Sequence, residues 1–344
     1  MSDNIVTLAH GSGARESWEI VERLFRRRTP PKLMKTEGGY GLDVLDDGAV
    51  IRVGDSYVVI SVDSFTVNPI FFPGGDIGHL AASGTINDLV VMGATPTAFM
   101  DSIVVEEGFP MDDLEKIVGS MTQVLFSEGV ALVGGDFKVM PRGAIDKIVV
   151  TATGVGISEG PPIVDTELRP GDKIVVTGPI AQHGAAILAA QLGVDVKIVS
   201  DSRPLTRTVL PVIKEFRSVI DAARDPTRGG LAAVLNEWAR ACGCTIVIDR
   251  ARVPIEEPTM EFLDAMGVDP LTMACEGVAV LAVRSGHEEQ VAEMLREKGE
   301  KRASVVGEVV KPPTQFLRGR VVARTEVGGR VLVEPKPVNL PRIC

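Results

Sequence analysis

Apolar and polar residues follow one another along the chain with two periods, one typical of strands and one typical of helices. Short apolar runs between turn residues predict buried strands, and apolar residues three and four apart predict helices that bury one face. In the first half these patterns predict strands at Tyr57 to Val62, Phe99 to Val105, Val130 to Val133 and Lys147 to Val155, and helices at Asp76 to Met92 and Met111 to Glu128.

The alternation restarts after Gly160-Pro161-Pro162, a turn signal that we interpret as a boundary between two halves. The second half has predicted strands at Lys173 to Thr177, Thr245 to Ile248, Val278 to Val283 and Ser304 to Val310, and predicted helices at Ala181 to Leu192, Gly229 to Cys242 and His287 to Lys298. The predicted fold class is therefore α/β (α+β), with domains at residues 1–158 and 163–311. In each domain we expect helices on one face of a mixed sheet.

A tail is predicted from Pro312 to the last residue, Cys344. It should contain two short strands, Gln315 to Ala323 and Val331 to Val333, followed by the prolines of residues 335–341. Because proline fixes φ and restricts the residue before it, we expect this end to be extended, unpaired and flexible. Its last eight residues could reach about 25 Å at ~3.1 Å each.

The composition excludes several classes of function. The net charge of the 344-residue chain is −10 and only 4% of its residues are aromatic, so nucleic acid is not expected as a main partner. The sequence carries no secretion signal and no run of ~20 apolar residues that would span a membrane. Its four cysteines are too few for a disulfide framework in a chain of this length, which indicates a reducing, cytoplasmic setting.

Three aspartates, Asp63, Asp88 and Asp136, lie beside apolar runs at or near the ends of predicted elements. Asp88 falls on the apolar stripe of its helix, where a lone carboxylate is costly unless it is paired or bound to a metal. Any one of these acids alone is better explained by a hydrogen bond to a backbone N–H or by a nearby arginine. Three of them together favour a Mg²⁺ site that carries a triphosphate.

The run from Asp88 to Pro96 has the pattern D-x4-G-A-x-P. It resembles the signature of the aminoimidazole ribonucleotide synthetase-like (PurM-like) superfamily of ATP-dependent enzymes. Three further segments occur in the order found there: Asp46-Asp47-Gly48-Ala49 before a strand, Gly134-Gly135-Asp136 after another, and Asp225 to Leu231 at the start of a helix. The resemblance implies a two-domain PurM-like fold and the use of ATP and Mg²⁺.

Within that superfamily the chain resembles the HypE family of hydrogenase maturation factors over essentially its whole length. The resembling segments are Phe71 to Gly78, Gly84 to Asp88, the Asp225 segment and the terminal Pro341-Arg342-Ile343-Cys344. The resemblance implies a homodimer whose N-terminal domains pair into a shared β-barrel. It also implies that HypF places a carbamoyl group on the C-terminal cysteine, which is dehydrated with ATP to a thiocyanate. The cyano group then passes to iron on the HypC–HypD complex, as a ligand for [NiFe]-hydrogenase.

By the same resemblance, the residues expected to bind the cofactors ATP and Mg²⁺ are Asp47, Asp63, Asn87, Asp88, Asp136 and Asp225. The Mg²⁺ ligands among them are expected to be Asp63, Asp88, Asp136 and Asp225. Cys344 is expected to carry the carbamoyl group. Phe137 follows Asp136 where many family members have threonine, so one hydroxyl that could touch phosphate is absent.

Two further residues are candidates for the chemical step. Lys138 lies two residues beyond Asp136, so on an extended segment it should point to the same side and stabilise charge on the transferred group. A solvated surface lysine is the alternative. Glu276, ahead of an apolar strand, is the candidate base, and a structural hydrogen-bond partner is an equally good interpretation.

Other interpretations stay open at this point. A selenophosphate or aminoimidazole ribonucleotide synthetase would phosphorylate a free small molecule and would not need a tail that ends in cysteine. A docking or anchoring tail would leave the buried acids unexplained. The pair Cys242 and Cys244 is interpreted as small buried thiols. The histidines His10, His79, His183 and His287 show no metal-binding spacing, and solvated or capping roles are favoured for them. A position near the site is the alternative for His79 and His183.

Overall fold

The computed structural model describes residues 5–11, 15–325, 327–335 and 342–344. Its α-helices over these ranges are α1 Arg15–Leu24, α2 Ile77–Val91, α3 Met111–Glu128, α4 Gln182–Leu192, α5 Leu210–Glu215, α6 Gly230–Cys242, α7 Glu257–Met266 and α8 Glu288–Glu297. Short 3₁₀ turns lie at Leu8–Gly11, Arg26–Arg28, Pro31–Leu33, Arg217–Val219, Arg250–Arg252, Pro270–Thr272 and Gln315–Leu317.

The strands form two main sheets and one short hairpin. Those before residue 160 are β1 Ala49–Val53, β2 Ser56–Phe65, β3 Phe71–Phe72, β4 Gly75–Asp76, β5 Thr95–Glu106, β6 Ala131–Met140 and β7 Ile148–Ser158. Those after it are β8 Lys173–Val176, β9 Ile220–Arg224, β10 Thr245–Asp249, β11 Val280–Val283, β12 Ser304–Val310, β13 Arg320–Arg324 and β14 Arg330–Val333.

The N-terminal sheet has the strand order β1-β2-β7-β5-β6 and carries α2 and α3 on one face. Helix α2 is buried along its whole length, because this sheet covers one side of it and β9 and α5 of the second unit cover another. Asp76 caps its start by accepting hydrogen bonds from the N–H groups of Gly78 and His79 at 2.7 and 3.0 Å. The last turn of α2, which contains Asp88, therefore lies inside the protein.

The opposite face of the N-terminal sheet is open in the single chain over the described residues. Val62, Met100 and Ile157 project from it and are 62%, 45% and 38% exposed. Strand β6 forms one edge of the sheet and is exposed along nearly all of its length. Exposed apolar surface of this kind is typical of a protein–protein interface.

The C-terminal sheet has the strand order β14-β13-β10-β12-β8-β11-β9. Helix α6 packs on β10 and β13, whereas α8 packs on β8 and β12. Strand β11 is buried at all four positions, as expected for the interior of a sheet with protein on both faces. The α/β (α+β) class and the two mixed sheets agree with the sequence prediction.

The predicted start of the tail at Pro312 is wrong. Strand β13 pairs in parallel with β10, with Arg320 opposite Thr245, and β14 pairs with β13. The second unit therefore extends to Val333, because a non-local strand pairing recruits residues that local proline signals assigned to a tail. Most of the proline-rich segment, residues 336–341, lies outside the described residues, so its extended and flexible conformation stays a prediction.

Several strands are longer than predicted, and two of these extensions bear on the site. Strand β2 continues through Asp63 to Phe65, and β6 continues through Gly134-Gly135-Asp136 to Met140. Strand β5 pairs with β6 on both sides of the two glycines, which a local pattern does not reveal. The predicted helix from Met111 to Glu128 is confirmed at both ends, and Gly129, with φ of 69°, ends it in the left-handed conformation.

Candidate functional site

Three aspartates from distant parts of the sequence meet where the two units join. Carboxylate oxygens of Asp47, Asp88 and Asp225 lie within 4.8 Å of one another. Asp47 precedes β1, Asp88 belongs to the last turn of α2, and Asp225 follows β9. Asp47 Oδ2 and Asp225 Oδ2 are buried and have no hydrogen-bond partner within the described part of the chain, which is costly unless a cation meets them. This set of hard oxygen donors fits Mg²⁺.

Burial disfavours negative charge on these acids. It raises the pKa of Asp88 well above its ordinary value, and the neighbouring Asp63, Asp225 and Asp47 raise it further. Burial, and then Asp63, raise the pKa of Asp225 to about 7. The hydroxyl of Ser61 donates a hydrogen bond to Asp88. A bound divalent cation would favour the charged carboxylates, so metal binding and deprotonation are linked at this cluster.

Arg224, at the end of β9, lies beside the aspartate cluster and is surrounded by four carboxylates. Its guanidinium is 3.8 Å from Asp46, 3.7 Å from Asp47 and 2.6 Å from Asp165, and it also pairs with Glu237. Burial lowers the pKa of Arg224, but these acids outweigh burial and raise it well above its ordinary value. The arginine is thus paired with acids of the protein itself, and Asp47 is one of them.

A cavity of about 360 Å³ opens beside the cluster. Asp47, Asp225 and Arg228 line it, together with Trp18 of α1. The indole N–H of Trp18 donates to Glu237 Oε1 at 2.8 Å, which fixes α1 as one wall. The volume lies within the range of ~300–1,000 Å³ that is usual for small-molecule sites, so a nucleotide can lie with its phosphates near the carboxylates.

The last three residues of the chain lie against the same chain's site. The N–H of Thr66 donates to the Cys344 carbonyl oxygen at 3.0 Å, and the N–H of Asn68 donates to the Arg342 carbonyl oxygen at 3.0 Å. The Arg342 guanidinium donates to the Thr66 carbonyl and pairs with Asp146. The C-terminal peptide is therefore docked in cis, beside the end of β2.

Glu276 and the Cys344 thiol share a small pocket with Asp88 and Asp225. Glu276 is 1% exposed, and neither of its carboxylate oxygens has a hydrogen-bond partner among the described residues. Burial, and then Asp225, raise its pKa well above the ordinary value. Burial also raises the pKa of the Cys344 thiol to about 12; Glu276 adds to this effect and Arg228 opposes it. The docked thiol is therefore protonated at neutral pH.

Arg228 is a cation beside Cys344 and Glu276, and it is not among the residues predicted from the sequence. It lines the 360 Å³ cavity as well as the pocket around Cys344, and its Nη2 is 3.9 Å from Asp63 Oδ1. Its pKa is raised, chiefly by Cys344. A signal was available, because Arg228 follows Asp225 by three residues within the segment that carried the superfamily resemblance.

Asp136 and Lys138 do not reach the aspartate cluster of their own chain. Strand β6 pairs with β5 so that Asp136 lies opposite Ser102, on the open face of the sheet, whereas Asp63 lies opposite Ala152 on the face that α2 covers. The two side chains do point the same way, as predicted, with Nζ and Oδ2 3.5 Å apart. Within a single chain the pleat turns both residues away from the aspartate cluster, so their predicted roles at the metal site and at the reacting group stay predictions.

Asn87 holds protein segments together. Its Nδ2 donates to the carbonyls of Arg203 and Glu276 at 3.0 and 3.1 Å, and its Oδ1 accepts from the N–H of Leu205 at 2.9 Å. These bonds give Asn87 a structural role at the backbone of Glu276, and its predicted contact with a cofactor stays a prediction. His183, which was interpreted as solvated or capping, is fully buried.

Comparison with known proteins matches the chain to the AIR synthase related protein family, with its N-terminal domain at residues 45–158 and its C-terminal domain at residues 169–320. The chain is also 37% identical to the carbamoyl dehydratase HypE of Escherichia coli strain K12, over 99% of this chain and 100% of that protein. The chain belongs to the HypE family. This confirms the family and the two-domain PurM-like fold expected from the motifs.

Two solved HypE structures superpose closely on the chain. One, HypE in complex with ATP, has a TM-score of 0.80 and 36% identity and covers 99% of this chain and 100% of that one. The other, in a HypE–HypF complex, has a TM-score of 0.82 and 33% identity and covers 92% and 99%. These relatives confirm the prediction of an ATP-dependent enzyme of hydrogenase maturation. Within the part of the chain that the structure describes, none of the helices is long and apolar enough to cross a membrane.

Proposed function

We propose that this chain uses ATP to dehydrate a carbamoyl group on its own Cys344 to a thiocyanate, and so supplies the cyanide ligand of [NiFe]-hydrogenase iron. The docked tail is the observation that carries the proposal. It brings the Cys344 sulfur into one pocket with Glu276, Asp88, Asp225 and Arg228. A synthetase that phosphorylates a free small molecule has no use for a cysteine delivered to its own acidic site.

The reaction removes one water from S–C(=O)–NH₂ and leaves S–C≡N. The carbamoyl oxygen is a poor leaving group, and it becomes a good one when it receives the γ-phosphoryl group of ATP. The C–O bond then breaks and phosphate leaves. The nitrogen gives up both of its protons, and the two electron pairs released form the second and third bonds to carbon. ATP ends as ADP and phosphate, with the net release of one proton.

Glu276 is the proposed base that removes protons from the carbamoyl nitrogen. A base needs a free lone pair within reach of the proton, and both of its buried carboxylate oxygens lack a partner among the described residues. Its raised pKa makes it a stronger base than an ordinary carboxylate. Asn87 and the pocket wall keep its backbone in place.

Arg228 is the proposed cation at the transferred phosphoryl group. It lies between the large cavity and Cys344, where a fixed positive charge stabilises the charge that develops on phosphoryl oxygens. Asp47, Asp88 and Asp225, with Asp63 beside them, would hold Mg²⁺, which would neutralise the phosphates of ATP. Arg224 keeps Asp47 in position for this task, and Ser61 does the same for Asp88.

HypF is the proposed carbamoyl donor and the HypC–HypD complex the proposed cyanide acceptor; the solved HypE–HypF complex supports the first of these. Intact-mass analysis of the C-terminal peptide tests the reaction. After incubation with HypF, carbamoyl phosphate and Mg²⁺–ATP, we expect Cys344 to gain one carbamoyl group less one water. Later addition of HypC–HypD should return the peptide to its unmodified mass.

Two variants act as controls in this mass experiment. Cys344→Ala should show no modification, and Cys242→Ala should behave as the parent because Cys242 lies at the end of α6. A parent protein whose Cys344 keeps its mass in every condition would refute the proposed reaction.

We further propose a homodimer in which the open faces of two N-terminal sheets form a shared β-barrel. The exposed Val62, Met100 and Ile157 support this proposal, since a second sheet would bury them. The outward direction of Lys138 and Asp136 supports it too. Both residues would then serve the site of the partner subunit, which a single chain leaves without them.

Mixed dimers test this arrangement. Lys138→Ala and Glu276→Gln chains should each fail alone, because each lacks one residue at every site. When the two are refolded together, random pairing should restore roughly a quarter of the parent's active sites. No recovery would show that Lys138 does not act across an interface. A Val62→Asp chain that remains dimeric by sedimentation would contradict the proposed sheet contact.

A further inference from the structure

The docked tail presents its carbonyl groups alternately to two sides, as extended chains do. The carbonyls of Arg342 and Cys344 accept hydrogen bonds from the N–H groups of Asn68 and Thr66. The carbonyl of Ile343 lies between them and points away from this backbone pairing. A different group must therefore satisfy it.

His183 is that group. Its Nε2 is 2.8 Å from the Ile343 carbonyl oxygen, and its Nδ1 is 2.7 Å from Ser200 Oγ. Because a carbonyl oxygen only accepts hydrogen bonds, Nε2 must carry a proton. Burial lowers the pKa of His183 to about 4, so the ring is neutral at pH 7 and its Nδ1 accepts from the Ser200 hydroxyl.

A ring contact and hydrogen bonds hold the side chain and the backbone of His183 in place. The residue is fully buried in the first turn of α4, and its ring meets the edge of Phe72 with centroids 5.4 Å apart. Its backbone N–H donates to Asp201 Oδ1 at 2.9 Å. Asp201 Oδ2 accepts from the N–H groups of Glu276 and Gly277 at 3.1 and 3.0 Å. One buried carboxylate thus connects the residue that contacts the tail with the proposed base.

We propose that His183 is a positioning residue that binds the backbone of the docked tail at Ile343 and thereby sets where the Cys344 sulfur lies relative to Glu276. The contact is made to a main-chain carbonyl, so it orients the peptide independently of the Ile343 side chain. The docking role stands on the described contacts alone. The consequence for dehydration rests on the proposed function.

Alkylation of Cys344 by iodoacetamide measures docking without ATP, HypF or a carbamoyl group. A thiol with a pKa of about 12 in its pocket reacts only when the tail leaves, and glutathione added to the same sample gives a reference rate for a free thiol. His183→Ala should raise the Cys344:glutathione labelling ratio about tenfold, the effect expected from the loss of one buried hydrogen bond. His183→Gln keeps an N–H near the position of Nε2 and should label close to the parent. Equal ratios in parent and His183→Ala, or in His183→Ala and His183→Gln, would overturn the proposal.

Ser200→Ala provides a second test, in which His183 itself is unchanged. This test can still be done if the His183→Ala variant does not fold. It removes the hydroxyl that fixes the ring tautomer, so the labelling ratio should rise by about threefold. A ratio that stays at the parental value in this folded variant would count against the tautomer assignment and the contact it supports.

Single-turnover dehydration connects the contact to the chemistry. In His183→Ala, dehydration of carbamoylated Cys344 should slow about tenfold, whereas loading by HypF should proceed at the parental rate or faster, because loading uses an undocked tail. Raised alkylation with unchanged dehydration would overturn the positioning role. The proposed function would instead be contradicted if Cys344 were alkylated at the parental rate but were neither loaded by HypF nor dehydrated in any variant.

Discussion

Replacement of Glu276 by glutamine is expected to slow the dehydration of carbamoylated Cys344 by about 10²- to 10⁴-fold, the range that a general base contributes. Glutamine has nearly the same shape and fits the same buried position, but its amide cannot take a proton. Because both carboxylate oxygens of Glu276 lack partners among the described residues, the substitution breaks no hydrogen bond. The measurement is a single turnover of carbamoylated protein with Mg²⁺–ATP, followed by the mass of the C-terminal peptide.

The pH dependence of the same single turnover distinguishes a base from a structural residue. Burial raises the pKa of Glu276 well above its ordinary value, so in the parent the rate should climb with pH through that raised pKa, as the carboxyl group loses its proton. The glutamine variant should lack this rise. Glu297→Gln, an exposed change on α8, should match the parent throughout. A Glu276→Gln rate within a factor of two or so of the parent would remove Glu276 from the mechanism.

Replacement of Asp88 by asparagine is expected to weaken Mg²⁺–ATP binding by at least about 100-fold, the larger effect known for mutations in the shell around a metal. Asp88 lies within 4.8 Å of Asp47 and Asp225, and an amide removes one of the charges that would hold the cation. In the mass assay the variant should therefore stop at the full carbamoyl mass. Calorimetric titration with Mg²⁺ and a non-hydrolysable ATP analogue gives the affinity.

The stability of the Asp88→Asn variant separates loss of binding from loss of folding. The pKa of Asp88 is raised well above its ordinary value, so at pH 7 without metal the fold disfavours its charge, and a neutral amide should leave the free energy of unfolding equal or higher. Asp112→Asn, at an exposed position on α3, is the matched control for the N-terminal unit. Normal loss of water in Asp88→Asn would exclude Asp88 from the metal site.

The aspartates could be identified from the sequence because a carboxylate in an apolar pattern is anomalous. Asp88 interrupts the apolar stripe of α2, and Asp225 opens a motif at the start of α6, so the residue pattern alone distinguishes both. Both converge with Asp47 in the structure, whereas the predicted metal ligands were Asp63, Asp88, Asp136 and Asp225. Asp136 is equally anomalous in the sequence, yet it lies on the open face of an edge strand. A local sequence pattern predicts that side chains alternate between the two faces of a strand. It does not predict which of these faces the helices cover.

The tail illustrates the same limit. Its prolines predict an extended segment that can reach a distant site, and its terminal cysteine predicts a carrier of the carbamoyl group. Neither feature predicts where the peptide binds. That depends on Thr66 and Asn68 at the end of β2 and on His183 in the first turn of α4, more than one hundred residues away in sequence. A lone histidine in an apolar helix gives no local sign that its partner is a backbone carbonyl. The reaction needs a cation near the transferred phosphoryl group. In the sequence Lys138 meets that requirement as well as Arg228 does.

Arg224 limits how this enzyme can move. Its ion pairs join Asp46 and Asp47 of the first unit, Asp165 of the connecting segment and Glu237 of the second unit. A hinge opening between the units would separate a buried arginine from several acids at once, and breaking a buried ion pair is strongly unfavourable. We therefore expect the two units to keep their relative positions during turnover. Under the proposed function, delivery of the thiol for loading and its return to the pocket would then fall to the C-terminal peptide.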